Sequence, residues 1–416
     1  MTHETISRSI SIAHPITLSH GRNAQVWDTD GKEYIDFVGG IGVLNLGHCN
    51  PAIVSAIQHQ ATQLTHAAFN AIPHAPYTQF MQRLEAFLPL SYPMAGMLTN
   101  SGAEAAENAL KVARAATGRT AVIAFDGGFH GRTLATLNLN GKVAPYKQKV
   151  GVLPGPVFHL PYPSADNGVT GEQAMQALER LFSVEIDVNE VACFILEPVQ
   201  GEAGFLALEP AFAQALRAFC DAHGILIIID EIQSGFGRTG QRFDFPRLGI
   251  EPDLLLLGKS IAGGVPLGAV VGRRELMASL PKGGLGGTYS GNPLACAAGL
   301  ATLELMSDAN LATWGELQER AIVGRYEAWK ASGLTPYLGR LTGVGAMRGI
   351  ELVTPQGKPA TAQLAEVLDK ARAAGLLLMP AGKARHIIRL LAPLTIEAEA
   401  LERGLDILEQ CLAELT

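Results

Sequence analysis

The sequence predicts an α/β protein whose large domain is a mostly parallel sheet covered by helices. From about residue 95 to 300, short apolar runs bounded by Gly and Pro alternate with amphipathic, alanine-rich stretches. Uninterrupted apolar runs are typical of strands buried on both faces, as in a parallel sheet between two helical layers. After about residue 305 the helices become longer and the strands fewer. This change predicts a second, smaller α+β domain at the C-terminal end.

Each predicted element rests on a local pattern. Strands of the large domain are predicted where apolar runs end at turn-forming residues, at 121–125, 192–199, 225–231, 254–258 and 268–272. The helices between them are predicted at Glu104–Ala116, Gly171–Phe182 and Pro210–His223. The smaller domain contributes the strands "AMRGIELV" and "IIRLLAP", and "AQVWDTDGKEYIDFVGG" near the start predicts a small β-meander with a turn at "DTDGKE". We therefore divide the chain into an N-terminal segment (1–50), a large domain (51–305) and a C-terminal domain (306–416).

The composition disfavours several classes of protein. The chain has 416 residues, of which 48% are hydrophobic and 17% charged, with a formal net charge of −7. An acidic balance disfavours a nucleic-acid partner, which needs a basic face. The five cysteines are scattered without a C-x-x-C pair, so we expect neither a disulfide framework nor a metal site. The start of the chain lacks a signal-peptide pattern and no apolar run is long enough to span a membrane, so we expect a cytoplasmic protein without a membrane partner.

The segment "DLLLLGKSIAGG" (253–264) raises a choice between two kinds of lysine site. Gly258-Lys259-Ser260 is how a nucleotide-binding P-loop ends, and an acidic strand end at Asp230 lies upstream. A P-loop, however, needs a glycine five residues before the Gly-Lys pair so that its backbone wraps the phosphates. Asp253 occupies that position here, and the four leucines after it predict an extended strand. The sequence therefore predicts a lysine just past a buried strand, where open α/β sheets bind their ligands.

A lysine in an apolar setting has a lowered pKa and can react with an aldehyde such as that of pyridoxal phosphate (PLP). This cofactor needs three further groups, and the sequence offers a candidate for each. Asp230 ends a neighbouring strand and can keep the pyridine nitrogen protonated. The turn Ser101-Gly102-Ala103 opens a helix whose N–H groups can bind phosphate, and Phe129 and His130 follow another strand as ring cover. Taken singly, each has an ordinary alternative: a turn residue, a helix cap and core aromatics.

Longer motifs carry a resemblance to a known family: "NSGAEAAENALKVAR", "GGFHGRT", "EPVQGEAGF", "DEIQSGFGRTG", "GKSIAGGVPLGAVVG" and "GGTYSGNPLAC". Together they resemble class III aminotransferases of PLP fold type I, and among these the chain is most similar to 4-aminobutyrate aminotransferases. The segments "GGIGVLNLGH", "GKVAPYK" and "APLTIEAEALERGLDIL" extend the likeness over nearly the whole chain. The resemblance implies a large PLP-binding domain with a mostly parallel sheet flanked by helices, plus a smaller α+β C-terminal domain.

The resemblance also implies roles around the cofactor. Lys259 would bind PLP covalently and act as general base, and Asp230 would pair with the pyridine nitrogen. The other cofactor-binding positions would contact the phosphate, the ring faces and the ring hydroxyl: Ser101, Gly102, Ala103, Phe129, His130, Ile232, Gln233 and Thr288. Thr288 would serve the phosphate site of a neighbouring subunit, which implies a homodimer or a dimer of dimers with active sites at the interface.

A second set of residues is implied to bind the substrates: Ile41, Arg132, Glu197, Glu202 and Arg389. Arg132 would bind the distal carboxylate of the donor bidentately, and Arg389 the second carboxylate of glutamate. With a donor that lacks this carboxylate, Glu202 would neutralise Arg389, because an unpaired charge in a partly dry pocket is costly. The implied reaction moves the terminal amine of an ω-amino acid, such as 4-aminobutyrate or 5-aminovalerate, to 2-oxoglutarate in a ping-pong cycle.

Two departures from the family pattern leave the donor open. The family usually has "EPVQGEGGF", whereas Ala203 adds a methyl group that we expect to narrow the substrate pocket, and "PAGKARHIIRL" (380–390) replaces an aromatic-rich segment. Acetylornithine, ornithine or diamine (putrescine-type) aminotransferases and ω-amino acid:pyruvate transaminases therefore stay alternatives. So do a PLP-dependent aminomutase or decarboxylase, which would not consume an oxoacid. A non-catalytic regulator on the same fold would need a DNA-binding domain, for which we expect no room in residues 1–50.

Overall fold

A computed structural model of the chain describes residues 5–415. Residues 1–4, at the start of the predicted N-terminal segment, lie outside the described residues. So does residue 416, the last residue of the predicted C-terminal domain. Within residues 5–415, no helix is long and apolar enough to cross a lipid bilayer.

The predicted N-terminal meander is present. Its elements are β1 (Leu18–Arg22), β2 (Gln25–Asp28), β3 (Glu33–Asp36) and the short helix α1 (Gly39–Gly42), and its strands pair antiparallel. Asp28 closes the turn at "DTDGKE", because its Oδ1 accepts hydrogen bonds from the N–H groups of Asp30 (3.0 Å) and Lys32 (2.9 Å). Bonds of this kind to the following backbone are the reason that Asp favours turns.

The large domain alternates strands and helices. Its helices are α2 (Pro51–Ala61), α3 (Ala75–Phe87), α4 (Gly102–Thr117), α5 (Leu134–Leu139), α6 (Gly171–Val184), α7 (Pro210–His223), α8 (Phe245–Leu248), α9 (Arg274–Met277) and α10 (Pro293–Leu305). Its strands are β4 (Met94–Thr99), β5 (Ala121–Phe125), β6 (Val157–Leu160), β7 (Val191–Leu196), β8 (Val199–Gln200), β9 (Leu206–Ala207), β10 (Leu226–Asp230), β11 (Leu254–Leu257) and β12 (Gly268–Arg273). The predicted helices and strands all form, with boundaries that differ by at most a few residues.

The main sheet of the described chain has the strand order β4-β12-β11-β10-β7-β5-β6. β10 pairs in parallel with both β7 and β11, and β12 runs antiparallel to its two neighbours. The mostly parallel sheet is therefore confirmed. Its outer strands, β4 and β6, were not predicted, because "MAGMLT" contains a central glycine and "VFHL" is short.

The leucine run of β11 shows why these strands are continuously apolar. Leu255 and Leu257 pack into the core on one side of the sheet, and Leu254 and Leu256 pack into the core on the other. All of them are fully buried, and burying each leucine side chain contributes about 2 kcal/mol. Both faces of the strand are covered, so an alternating pattern is neither needed nor present.

The C-terminal domain has longer helices around a smaller sheet, as predicted. Its helices are α11 (Asp308–Ser332), α12 (Thr361–Ala373) and α13 (Ala398–Ala413). Its strands are β13 (Leu338–Val344), β14 (Met347–Leu352), β15 (Leu376–Leu377), β16 (Met379–Ala381) and β17 (Ile387–Leu390). The strand order of this sheet is β13-β14-β17-β16 within the described chain, and β13 was not predicted.

The N-terminal meander packs with the C-terminal domain, a contact that the sequence did not predict. β15 adds in parallel to β3, and Ala24, Ile35 and Phe37 lie in the same apolar core as the C-terminal helices. The N-terminal segment and the C-terminal domain therefore share one sheet and one apolar core. The proposed domain boundaries stay a prediction, since this core combines residues from two of the three proposed segments.

Arg238 connects all three parts of the chain. Its guanidinium is fully buried and donates hydrogen bonds to Asn45 Oδ1 (3.1 and 2.5 Å) and to the Ala392 carbonyl (2.8 Å). Burial lowers its pKa to about 9, and among the described residues no carboxylate pairs with it. Because Ala392 follows β17, this contact fixes the position of the strand that carries Arg389.

Candidate active site

A cavity of about 200 Å³ lies where β10, β11 and β5 end and α4 begins. Most of the predicted site residues line it: Gly102, Ala103, Phe129, His130, Glu197, Glu202, Asp230, Ile232, Gln233 and Lys259. These positions converge because parallel strands place their carboxyl ends at one edge of the sheet. Of the remaining predicted residues, Arg389 is connected to the cavity through Glu202, and Ser101 caps α4 at its rim.

Lys259 lies one residue beyond β11, after Gly258, and opens a single 3₁₀ turn. Its φ of +44° is in the left-handed region, which residues other than glycine rarely adopt. Ser260 anchors the turn by donating from its hydroxyl to the carbonyls of Gly42 (3.1 Å) and Val43 (2.9 Å). Burial lowers the pKa of the Lys259 amine, which raises the fraction of neutral, nucleophilic amine.

Asp230 ends β10 with both carboxylate oxygens held. Its Oδ2 lies 2.7 Å from His130 Nδ1, and its Oδ1 accepts a hydrogen bond from the Ile232 N–H (3.0 Å). Burial alone lowers the pKa of His130, but the hydrogen bond and charge of Asp230 outweigh it, so the pKa of the imidazole is raised. The His130 imidazole therefore orients the acid, and its predicted role as ring cover stays a prediction.

The backbone around His130 is itself fixed. Asn140, fully buried, accepts from the His130 N–H (2.7 Å) and donates to the Gly131 carbonyl (2.8 Å). No sequence pattern pointed to this role, because an asparagine after a short helix is common. Asn140 thereby places both His130 and Phe129 beside the acid.

The start of α4 forms an anion site. Ser101 caps the helix by accepting from the Glu104 N–H (3.2 Å). The N–H groups of Gly102 and Ala103 belong to the first turn, where intrahelical acceptors are absent and an anion is favoured. A Cβ added at Gly102 would lie 2.5 Å from Ile232 Cδ1, so only glycine fits there while Ile232 keeps its place in the cavity.

Gln233 supplies an unsatisfied buried group. Its side chain lies at the cavity wall, and within residues 5–415 its Oε1 has no hydrogen-bond partner. Buried polar atoms without a partner are rare, and a ring hydroxyl would satisfy this one. Together with Lys259, Asp230 and the first turn of α4, Gln233 makes a set that fits PLP. When bound, PLP supplies an electron sink for the substrate carbon that carries the amine.

Glu197 holds two loops of the cavity wall together. Its carboxylate accepts from the N–H groups of Phe129 (3.0 Å) and Gly201 (3.2 Å), and burial raises its pKa. It lines the cavity and shapes it through the backbone, so its predicted contact with substrate stays a prediction. Ala203 lines the neighbouring larger cavity and not this one, so the narrowing of the substrate pocket by its methyl group stays a prediction.

Glu202 and Arg389 form the predicted ion pair, with 2.7 Å between Oε1 and Nη2. Arg389 is buried and also donates from Nε to the Pro380 carbonyl (3.0 Å), whereas its Nη1 has no partner within residues 5–415. Burial alone would raise the pKa of Glu202, but the charge of Arg389 outweighs it and the pKa is lowered. The pair is therefore charged, and one guanidinium nitrogen stays available.

Tyr146 was not predicted as a site residue, although it belongs to the quoted motif "GKVAPYK". Its hydroxyl donates to Glu202 Oε2 (3.0 Å), and burial, followed by the charge of Glu202, raises its pKa to about 12. The guanidinium of Arg132 lies over its ring at 5.1 Å. Arg132 is exposed and has no carboxylate partner among the described residues. Tyr146 thus connects the two predicted substrate-binding arginines.

Ile41 and Thr288, like Arg132, are not among the residues that line the cavity in the single chain. Ile41 is exposed with a φ of +64°, and Thr288 is exposed on the segment before α10. Their roles, the homodimer that the Thr288 assignment implies, and the cytoplasmic location stay predictions.

Comparison with known proteins decides the family. The model of the family described as "Aminotransferase class-III" matches residues 7–412. The chain belongs to the class III aminotransferases. It is 80% identical over 415 residues to the 2-aminoadipate transaminase of Pseudomonas putida, covering 100% of both chains. This aminotransferase is also 43% identical to the 5-aminovalerate aminotransferase DavT of the same species. It is 42% identical to the 4-aminobutyrate aminotransferase GabT of Escherichia coli. Each of these two comparisons covers 99% of this chain and 96% of the relative.

Among solved structures, the aminotransferase is similar to an amine transaminase from an uncultivated Pseudomonas species in its PLP-bound form. The TM-score is 0.90 with 27% identity over 100% of both chains. The predicted family, fold and enzyme class are therefore confirmed, and so is PLP, since class III aminotransferases are PLP-dependent. Its substrates are an amino donor and a 2-oxo acid.

Proposed function

We propose that this aminotransferase exchanges the amino group of 2-aminoadipate with 2-oxoglutarate. The observation that carries the proposal is the free Nη1 of the buried Arg389 beside the cavity, together with Arg132, which has no carboxylate partner among residues 5–415. Both substrates carry one carboxylate next to the reacting carbon and a second at the far end. The relative that is 80% identical is named a 2-aminoadipate transaminase, which supports the same donor here.

Each arginine has a distinct task in this proposal. Arg389 binds the carboxylate next to the reacting carbon, for which its Nη1 is free, and charge-assisted bonds of this kind are short and strong. Arg132 binds the distal carboxylate and reaches it from its place over the Tyr146 ring. Since 2-aminoadipate is one methylene longer than glutamate, the exposed and less constrained Arg132 is the one that accommodates both lengths.

Lys259 and Asp230 perform the chemistry that the cofactor allows. Lys259, once its amine is free, takes the proton from the substrate carbon that carries the amino group and returns it one position away. Asp230, oriented by His130, would hold the pyridine nitrogen of the cofactor and stabilise a proton on it. Glu197 keeps the cavity wall in place by accepting hydrogen bonds from the N–H groups of Phe129 and Gly201.

A second candidate donor is 5-aminovalerate, which is 2-aminoadipate without the carboxylate next to the reacting carbon. The Glu202–Arg389 ion pair favours it, because the pair leaves Arg389 neutralised when no such carboxylate is present. DavT, at 43% identity, is named for this donor. The ω-amino acid reaction predicted from the sequence therefore remains the second proposal.

A donor panel combined with Arg389→Ala tests the proposal. We expect 2-aminoadipate and 2-oxoglutarate to be the fastest pair for the unaltered enzyme. In Arg389→Ala, the half-reaction with 2-aminoadipate should lose roughly 2 kcal/mol of transition-state stabilisation, about thirtyfold in rate, because a hydrogen-bonded charge partner is removed. The half-reaction with 5-aminovalerate should lose far less. Stopped-flow absorbance of the PLP chromophore measures both rates.

Arg385→Ala is the matched control, because Arg385 lies on the same segment but is exposed. It should leave the ratio of the two half-reactions as it is. Equal losses with both donors in Arg389→Ala would contradict the assignment of Arg389. Faster transfer from ornithine, acetylornithine or putrescine than from either carboxylate donor, or a preference for pyruvate as acceptor, would contradict the proposed substrates.

A further inference from the structure

Two short segments with left-handed backbone lie next to each other at the active-site cavity. The first is the turn Gly39–Gly42, here called the glycine turn, in which every residue has a positive φ and Ile41 has a φ of +64°. The second is Lys259, with a φ of +44°. Residues other than glycine rarely adopt this conformation, and a β-branched residue such as Ile41 does so only where its surroundings fix it. Each segment must therefore be held by its neighbours.

Asp36 fixes the start of the glycine turn. Its Oδ1 accepts hydrogen bonds from the N–H groups of Val38 (2.8 Å) and Gly39 (3.0 Å), and its Oδ2 lies 2.8 Å from His48 Nε2. Asp36 is buried, and both of its carboxylate oxygens are used. The glycine turn is therefore held at the point where the chain leaves β3.

The glycine turn also packs against two other parts of the site. At Gly42, an added Cβ would lie 3.6 Å from Gln233 Cγ, so the turn is in van der Waals contact with a residue of the cavity wall. At Gly39, an added Cβ would overlap the Leu391 carbonyl oxygen, and Leu391 directly follows β17, the strand that carries Arg389. The glycine turn is thus a fixed surface to which another part of the site can be anchored.

Ser260 anchors Lys259 to this surface. Its hydroxyl lies 3.1 Å from the Gly42 carbonyl oxygen and 2.9 Å from the Val43 carbonyl oxygen, and it donates its one hydrogen to this pair. Ser260 is 3% exposed, so water does not compete for the hydroxyl. Within residues 5–415, no other hydrogen bond joins the glycine turn to the 3₁₀ turn that Lys259 opens.

The direction of the Lys259 side chain depends on the backbone at Lys259. A left-handed residue is less stable than a right-handed one, so this backbone relaxes toward negative φ when no contact opposes the change. Rotation about the N–Cα bond would give the Cβ, and with it the long side chain, another direction. The hydroxyl of the next residue, Ser260, opposes this rotation because it is bound to the glycine turn.

We propose that Ser260 is a positioning residue for amino-group transfer: its hydrogen bond to the glycine turn keeps Lys259 in the left-handed conformation and its amine directed at the PLP aldehyde. Ser260 does not line the cavity, so it acts through the backbone of Lys259 and not by touching cofactor or substrate. This inference rests on the assignment of Lys259 in the proposed function, and it does not depend on the identity of the donor.

The test measures the effective concentration of the Lys259 amine at the cofactor in the PLP-loaded enzyme. Methylamine competes with Lys259 for the aldehyde carbon of PLP, and borohydride then fixes whichever amine is bound. Peptide mapping gives the methylamine concentration at which half of the PLP is no longer linked to Lys259. A well-oriented amine has a high effective concentration, so Ser260→Ala should lower this half-displacing concentration by about tenfold.

Three further variants separate this role from general damage. Ser260→Thr keeps the hydroxyl and should match the unaltered enzyme. Ser260→Cys has a weaker donor and should lower the half-displacing concentration less than Ser260→Ala does, and it provides the measurement if Ser260→Ala does not fold. Ser164→Ala removes another buried serine hydroxyl, which accepts from the Asp166 N–H (3.2 Å), and should change nothing. An unchanged value in Ser260→Ala and Ser260→Cys would overturn the inference, as would an equal decrease in Ser164→Ala or Ser260→Thr.

The outcome for the proposed function is separate. If borohydride links PLP in the unaltered enzyme to a lysine other than Lys259, the assignment of Lys259 is wrong, and the inference about Ser260 is wrong with it. If PLP is linked to Lys259 and Ser260→Ala behaves like the unaltered enzyme, the assignment stands and only the role of Ser260 is wrong. A donor panel that excludes 2-aminoadipate would contradict the proposed donor and leave the role of Ser260 as it is.

Discussion

Replacing Lys259 with alanine will stop amino-group transfer while the protein still folds and binds PLP. The lysine supplies both the amine that reacts with the cofactor aldehyde and the base that moves the proton, and loss of a positioned base alone costs roughly a thousandfold or more. The first turn of α4, Gln233 and Asp230 remain to bind the cofactor. Single-turnover absorbance with 2-aminoadipate measures the loss, and gel filtration confirms the fold.

Borohydride reduction provides the control for this variant. In the unaltered enzyme, reduction should link one PLP per chain covalently to the peptide that contains Lys259. In Lys259→Ala, reduction should link no PLP to the protein. Stoichiometric labelling of Lys259→Ala on another lysine, located by peptide mapping, would contradict the assignment of Lys259.

Replacing Asp230 with asparagine should slow the proton transfer by several hundredfold, which is about 3–4 kcal/mol. The amide keeps the shape of the side chain but removes the negative charge that stabilises a proton on the cofactor nitrogen. It also disturbs the contact with His130 Nδ1 at 2.7 Å. The measured quantity is the rate of the half-reaction at saturating donor.

Glu231→Gln is the matched control, since Glu231 is the next residue and faces away from the cavity. Its carboxylate is fully buried and accepts from Ser234 and from the N–H groups of Asp244 and Phe245. Burial raises the pKa of the Glu231 carboxyl group, which favours its neutral form. Replacing it with the neutral amide of glutamine is therefore a mild change. Near-normal half-reaction rates in Asp230→Asn, or equal losses in both variants, would show that Asp230 does not have the proposed role.

The positions at strand ends were predictable from the sequence because the physics that places them is local. A continuous apolar run predicts a buried strand, and parallel strands bring their carboxyl ends together, so Asp230, Lys259 and the residues after β5 had to be neighbours. Pro210–His223 was predicted with its observed boundaries, since Pro at the start and Gly after the end are strong helix signals.

Contacts between distant loops were not predictable in this way. Tyr146 meets Glu202 only through the fold of the segment after α5, and His130 reaches Asp230 across 100 residues of sequence. Periodicity contains no information about such pairs. The packing of the N-terminal meander on the C-terminal domain was missed for the same reason, because a two-residue strand such as β15 leaves no pattern.

The left-handed backbone at Lys259 sets a limit on how this enzyme can be improved. A non-glycine residue in that conformation lowers the stability of the folded state by about 1–2 kcal/mol. The enzyme cannot avoid this cost, because the reaction requires the lysine side chain. Lys259→Gly should therefore melt at a higher temperature than Lys259→Ala in differential scanning fluorimetry, and a lower melting temperature would contradict the strain. A library screened only for heat resistance will accumulate glycine at this position, and its most durable members will be inactive.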